Sequence, residues 1–317
     1  MKKLTIAIPT YKRPDIVAKL IHNFFEEKIN DYAEILLIDD GPSEDLKDKL
    51  SEVIDKIKFI AHEENKGYCN TFCELFENCH TEYILITADD DKIIPEGIEE
   101  INEFLSENSF DFLSTRWLSN GKTYRGKNEC IPITLLEVTD ASNHAPGLIY
   151  KVESVIPLLP FLKERMRKNC SATFFYPQVV VLYLLLLQEK KCYWHPNASV
   201  EEGNRCATNL LSIDGNSYAS VFNRWKEYLD FLDLFDNFLK INLSKQSKKN
   251  IQALKILYQQ TAYERIDSAI CLNHKNIYMD WVVDSIFYNI KRPSVIFRCI
   301  FIFLKNRIKC KSTLKMV

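Results

Sequence analysis

The sequence predicts an α/β fold: a mostly parallel twisted sheet flanked by helices, followed by a C-terminal helical bundle. Over the first 115 residues, apolar runs of strand length alternate with longer segments of helical period, the pattern of parallel strands joined by crossover helices. From Ser217 onward only helical period remains, with Tyr218, Phe222, Trp225, Leu229, Leu232, Phe235 and Leu239 recurring at threes and fours. The 317 residues are 46% hydrophobic and 26% charged, which is enough apolar material for a full core.

Leu4–Ile8 is the first expected strand. Pro14 opens a helix, a position that suits its fixed φ and missing N–H, and Ile16, Val17, Leu20, Ile21, Phe24 and Phe25 form one apolar stripe. Ile35–Ile38, Ile57–Ile60 and Tyr83–Thr87 are further strands, alternating with helices over Ser43–Ile54, Tyr68–Cys79 and Pro95–Ser106. Phe110–Ser114 completes the alternation. Connections this short make right-handed crossovers, and ligands of such sheets lie beyond the carboxyl ends of the strands. Residues 116–150 lose periodicity and carry Gly121, Gly126, Pro132, Pro146 and Gly147, which predicts a long surface excursion ending in a strand near Gly147–Lys151. Val179–Leu187 is apolar on every side and reads as a buried helix, and Lys191–Trp194 as the last strand. The expected division is 1–215 for the sheet domain and 216–317 for the helical region.

With 41 basic against 43 acidic residues the formal charge is -2, which argues against nucleic acid as a partner. The start of the chain is too short in its apolar part for a signal peptide, and Val179–Leu187 is far short of a membrane span, so a cytoplasmic location is expected. The 10 cysteines then read as reduced thiols; Cys69, Cys73, Cys79 and His80 lie close together, but without zinc-ligand spacing. Residues 291–317 carry eight Lys and Arg and no acid around Val295–Leu304. Two readings stand there: an interfacial helix on an anionic membrane, or a helix packed on the bundle with its charges in water.

Each expected strand ends in polar residues: Pro9-Thr10-Tyr11-Lys12-Arg13 after the first, Asp39-Asp40-Gly41 after the second, Asn65-Lys66-Gly67 after the third, Asp89-Asp90-Asp91 after the fourth. Carboxylates crowded after an apolar strand raise one another's pKa unless a cation sits among them, and a hard divalent ion shared with ligand phosphates is one solution. The alternative is a turn whose aspartates cap the helix at Pro95 and face water. Asp39 at a strand tip can accept a base N–H, with a hydroxyl from Thr10 and a stacking face from Tyr11, or it can simply belong to an Asp-Gly-Pro-Ser turn. Gly67 permits close backbone approach, and Lys66 beside it can reach a base or phosphate.

In order and spacing these motifs, with Asn70, Glu82-Tyr83-Ile84 and Pro95-Glu96-Gly97, resemble a family 2 glycosyltransferase of the GT-A fold. The resemblance covers residues 1–115 and continues more faintly to about Gly203. It implies transfer of a sugar from a nucleotide-diphosphate donor with inversion at the anomeric carbon, assisted by Mg²⁺ or Mn²⁺. By motif position Thr10, Tyr11 and Asp39 hold the nucleoside, with Pro9, Arg13, Asp40 and Gly67 around them; Lys66 lies near base or phosphates, Asp89 holds the ribose, and Asp90 and Asp91 take the metal. A glycan or lipid-linked glycan acceptor is implied, in bacterial capsule, O-antigen or lipooligosaccharide assembly, with peripheral contact to the inner membrane through 291–317.

Two positions depart from the family pattern. Ala88 stands where the first aspartate is usual, and the Glu-Asp pair that supplies the catalytic base is missing, its expected place before the buried helix reading Phe175-Tyr176-Pro177-Gln178. Direct displacement needs a base at the attacking hydroxyl, and an amide cannot take its proton. Asp140 and His144 are the leading candidates, followed by Glu201 and Glu202; Arg205 can clamp a diphosphate and His195 approach the metal. A non-catalytic sugar-nucleotide-binding or scaffold subunit is the alternative function.

Overall fold

The apolar run Leu4–Thr10 forms β1, buried on both faces and hydrogen-bonded between β2 (Ala33–Asp39) and β4 (Tyr83–Ile86), as strands of a covered parallel sheet must be. The computed structural model describes residues 2–41, 43, 45–168, 170–203, 221–256 and 301. The other described strands are β3 (Lys58–Ala61), β5 (Lys92–Ile93), β6 (Phe112–Ser119), β7 (Lys122–Arg125), β8 (Leu148–Lys151) and β9 (Cys192–Glu201). Their order is β3-β2-β1-β4-β8-β6-β9-β5, with β7 paired to β6. β8 runs antiparallel between β4 and β6, so Gly147, at its start, lies at the same edge as the carboxyl ends of β1, β2 and β4.

Side chains alternate across the pleat, and each face has its own cover. Leu4, Ile6 and Ile8 share a cluster with Val17, Ile21 and Phe24 of the helix Pro14–Glu26 and Ile98, Ile101 and Leu105 of the helix Pro95–Glu107. On the other face Tyr150 meets Phe76 of the helix Tyr68–Asn78 and Phe112 edge-on, with ring centroids 5.3 and 5.0 Å apart. Cys69 and Cys73 are buried on that same helix. The all-apolar stretch forms the helix Pro177–Leu187, buried from Val179 to Tyr183, and packs against the short helix Val138–Ser142.

Several elements differ from expectation for local reasons. Ser43–Ile54 contains only one α-turn, Leu46–Lys49, and a 3₁₀ turn at Ile54–Lys56; successive single turns already bury Leu46, Leu50 and Val53. β6 continues five residues beyond Ser114 and folds back as β7 through Asn120 and Gly121, both at positive φ, the backbone that a tight hairpin requires. Part of the expected excursion is therefore sheet. β9 runs on to Glu201, its register against β6 shifting near Arg116, and Pro196 is accommodated within this irregular pairing.

The chain divides into two units, Met1–Thr208 and Asn209–Val317. In the second, the helix Val221–Lys240 buries Tyr228, Phe231, Phe235 and Phe238, and a helical segment at 245–256 buries Ile251 and Leu254. Tyr218, the side chains of Phe222 and Trp225, and the basic segment 291–317 apart from Phe301 lie outside the described residues. Among those described, no helix is long and apolar enough to cross a membrane.

Candidate active site

Parallel register places Thr10 opposite Asp39, and two backbone bonds knit the strand ends: Asp40 N–H to Thr10 O at 2.8 Å and His62 N–H to Asp39 O at 2.9 Å. Asp39 is buried; its Oδ2 accepts the Ser43 N–H at 3.1 Å, while Oδ1 has no partner. Burial raises its pKa against the pull of bonds from Ser43 and Gly41. A buried acceptor left open at a sheet edge suits a ligand N–H. Tyr11 packs on Gly41, where a Cβ would come within 2.8 Å of the ring, and remains 41% exposed, with the Lys12 ammonium 5.1 Å from its ring centre. Its hydroxyl is held below the ordinary pKa by Asn65 and Lys12. Across the pocket, Asp40 Oδ1 accepts the Lys66 N–H at 2.8 Å, Lys66 Nζ pairs with Glu74 at 2.9 Å, and Gly67, at φ 82°, precedes the helix Tyr68–Asn78.

The three aspartates differ in environment. Asp89 and Asp91 are buried, and the Pro95 helix has Ile94 as its N-cap residue with no side-chain cap, so these carboxyls neither face water nor cap the helix. Asp89 accepts Thr10 Oγ1 at 2.7 Å and Arg13 Nη1 at 2.8 Å, and the same guanidinium nitrogen reaches Asp90 Oδ2 at 3.1 Å. Arg13 thus bridges two of the three. Asp91 Oδ1 receives only a 3.4 Å bond from Gly203 N–H, and its Oδ2 is buried without a partner. Burial pushes Asp91 up to about 7, opposed by Gly203 and the nearby Trp117 indole and assisted by the charges of Asp90 and Glu202. Gly203 lies so close that a Cβ there would sit 1.7 Å from Asp90 O. Among the described residues no group of three His, Cys, Asp or Glu is arranged as a protein-only metal cage. The orphaned Asp91 oxygen nevertheless fits an ion held by one or two carboxylates plus ligand oxygens.

The opposite side of the cleft is built by the β6–β7 hairpin and the loop before β8. Arg125 is buried and donates to the carbonyls of Thr115, His144 and Pro146, two of these bonds measuring 3.3 Å to Thr115 and 2.6 Å to Pro146. Burial lowers it to about 10. The His144 ring packs edge-on against Trp117 at 4.3 Å, one aromatic ring away from Asp91. Asp140 is exposed and lines a cavity of about 270 Å³ with Tyr124, Lys127, Asn143 and Trp194. Gln178 is buried with Oε1 unpartnered.

Residues 5–146 match the family model described as Glycosyl transferase family 2. Over this segment the chain is similar to glycosyltransferase family 2. No curated protein matches the chain. Among solved structures, S. aureus TarS 1-349 in complex with UDP-GlcNAc is 15% identical, with a TM-score of 0.63 over 98% of this chain and 92% of that one. The mannosyltransferase PcManGT from Pyrobaculum calidifontis, in complex with GDP-Man and Mn²⁺, is 10% identical, with a TM-score of 0.52 over 96% and 87%. At these identities the likeness is one of fold, a mixed sheet of the GT-A type with helices on both faces.

Some expectations for the site are corrected. Glu201 and Glu202 hold the hairpin: Glu201 accepts Gly121 N–H at 3.2 Å, Glu202 accepts the Ser119 hydroxyl, and Glu202 N–H bonds Leu118 O at 2.7 Å. His195 packs edge-on against Phe104 at 4.7 Å in the sheet–helix core, where burial lowers it to about 4; its position early in β9, six residues before the strand's end near Asp91, is too far back for a ligand. Arg205 lies outside the described residues. Trp117 and Gly203 beside Asp91, and Arg125 beneath the His144 loop, have no sequence motif to announce them.

Proposed function

We propose that this chain transfers a sugar from a nucleotide-diphosphate donor to a glycan or lipid-linked glycan acceptor, with inversion at the anomeric carbon. The observation that carries this reading is the pair of buried, unpartnered carboxylate oxygens, Asp39 Oδ1 and Asp91 Oδ2, at the ligand-binding edge of a family 2 domain. Asp39 accepts the base N–H, Tyr11 stacks on the base, and Thr10, Arg13 and Lys66 line the path from nucleoside to phosphates. Asp89 takes the ribose. Asp90 and Asp91 would hold Mg²⁺ or Mn²⁺, whose chemistry when bound is Lewis-acid stabilisation of the departing diphosphate. Structures of similar fold are in complex with UDP-GlcNAc, UDP, and GDP-Man with Mn²⁺, which supports this class of donor.

The acceptor hydroxyl must lose a proton as it attacks, and we assign its removal to His144 or Asp140. Arg125 fixes the loop that carries His144 through the carbonyls of His144 and Pro146. The family resemblance supports work on bacterial capsule, O-antigen or lipooligosaccharide, at the cytoplasmic face of the inner membrane. Residues 1–215 then form the catalytic domain and 216–317 a helical region with a basic tail.

Purified protein with Mn²⁺ and a panel of UDP- and GDP-sugars should release nucleotide diphosphate, and Asp90→Ala and Asp91→Ala should abolish release while remaining folded. Full turnover in both variants removes the metal site. Gln178, in place of an acid, favours a second reading, a sugar-nucleotide-binding subunit without turnover, which predicts donor binding and no release even with acceptor present.

A further inference from the structure

Beside the nucleotide pocket His62, Asp40, Glu74 and Lys66 close into a ring, its last link made by the Lys66 backbone N–H, and the proposed reaction gives His62 and Glu74 no role. His62, just after β3, is buried; its Nδ1 lies 2.9 Å from Asp40 Oδ1 and its Nε2 2.6 Å from Glu74 Oε2. Lys66 completes the ring, its Nζ 2.9 Å from Glu74 Oε1 and its backbone N–H 2.8 Å from the same Asp40 oxygen. The charged groups brought to the imidazole are thus Asp40 from the end of β2, Glu74 from the helix Tyr68–Asn78, and Lys66 from the turn between β3 and that helix.

Ionised carboxylates accept and never donate hydrogen bonds. Each imidazole nitrogen faces one, so both bonds form only when both nitrogens carry hydrogen, and the ring is then a cation between two anions. Glu74 is in the accepting form: burial raises its pKa, but the bonds from Lys66 and His62 outweigh this and hold it below the ordinary value. Asp40 is joined by its own N–H to Thr10, and His62 by its N–H to Asp39. The imidazole thus touches Asp40 directly, and backbone bonds carry the contact from there to Asp39 and Thr10.

We propose that His62 is a doubly protonated imidazolium and a positioning residue for the nucleotide pocket, holding Asp40, and through it Asp39 and Thr10, in register with the Lys66-Gly67 turn. The assignment of the pocket to a nucleotide rests on the proposed function above. When the proton leaves, a lone pair confronts a carboxylate at hydrogen-bond distance and the ring of contacts opens. Nucleotide affinity accordingly falls as pH rises.

The test combines two measurements on the full chain without divalent metal. Nitrogen-15 chemical shifts of the His62 ring at pH 7 read its protonation directly, and calorimetric titration with UDP and with GDP between pH 6.5 and 9 reads the pocket. Two protonated ring nitrogens are expected. In an Asp91→Asn background, which removes the carboxyl held at about 7, the tighter nucleotide should bind several-fold more weakly at pH 9, and adding His62→Phe should weaken binding about tenfold at pH 6.5 and remove most of the pH response. Glu74→Gln, at the more exposed end of the ring, should show the same trend at smaller size and serves where His62→Phe does not fold. A bare ring nitrogen at pH 7 alongside nucleotide binding overturns the assignment alone, as does a His62→Phe or Glu74→Gln variant that keeps the affinity and pH response of the Asp91→Asn background. Failure of both nucleotides to bind folded wild type overturns the nucleotide reading, and the positioning role with it.

Discussion

Asp39 and Asp91 share a physical predicament: each is a carboxylate at a sheet edge with one oxygen bonded and the other buried and open. Leaving such a group unsatisfied costs about 1–3 kcal/mol, so a ligand that supplies the missing donor or cation recovers that energy on binding. Asp39→Ala should therefore weaken nucleotide binding by about tenfold or more, with thermal stability unchanged or raised, as titration calorimetry and melting would show. For Asp91 the sign follows from linkage. Its folded pKa, about 7, stands above the ordinary 3.8, so the folded chain holds an extra proton between these values and loses stability as pH rises through them. The metal-free protein should lose up to about 4 kcal/mol from this source between pH 4 and 7, and Asp91→Asn should remove that slope in urea denaturation. Mn²⁺, which competes with the same proton, should stabilise the protein more at pH 8 than at pH 6. Thr10 and Asp39 are legible in the sequence because a strand of known direction delivers its last residue to a known edge, and Asp89 because it follows the end of β4 closely. Arg125 is not, since its acceptors, Thr115 and the loop 144–146, come to it only when the hairpin closes.

Strands and helices meet closely at two glycines, and each approach forbids a side chain. A Cβ on Gly97 would lie 1.9 Å from Ala198 O, so the helix Pro95–Glu107 sits directly on β9; a Cβ on Gly203 would lie 1.7 Å from Asp90 O, so the segment after β9 sits directly on the aspartates. Gly97→Ala should thus cost about 1–3 kcal/mol of global stability, whereas Gly203→Ala should fall mainly on the site, lowering nucleotide-diphosphate release at least tenfold for a small shift in melting temperature. Comparing denaturation with turnover for the two variants checks this division. Legibility differs among elements in the same way. The Pro14 and Pro95 helices are read correctly because proline marks their starts and one apolar stripe faces one sheet. Ser43–Ile54 carries a similar stripe, yet single turns satisfy it, and periodicity does not distinguish the two. β7 escapes notice because its exposed face is polar, and the far half of β9 because Pro196, Asn197 and Ser199 read as a loop although none of them is exposed.

At the scale of the molecule, the near-neutral total of -2 conceals a basic segment, Lys291 to Lys315, with eight cations. Each Lys or Arg near an anionic surface contributes about 1 kcal/mol, an attraction that salt screens within about 10 Å at 0.1 M. The full chain should cosediment with phosphatidylserine vesicles, release as salt rises, and ignore phosphatidylcholine vesicles; a variant with these eight residues changed to Gln should stay in the supernatant throughout. Binding that persists in that variant places membrane contact elsewhere.

The β6–β7 hairpin is bonded through Ser119, Gly121 and Leu118 to the two glutamates that end β9, and the next residue, Gly203, touches the aspartates. Tyr124 and Lys127, which line the cavity beside Asp140, lie off this chain of bonds, so randomising them should leave the aspartates in place. Randomising Ser119 or Gly121 instead should loosen Gly203 from Asp91 and so weaken the proposed use of the donor.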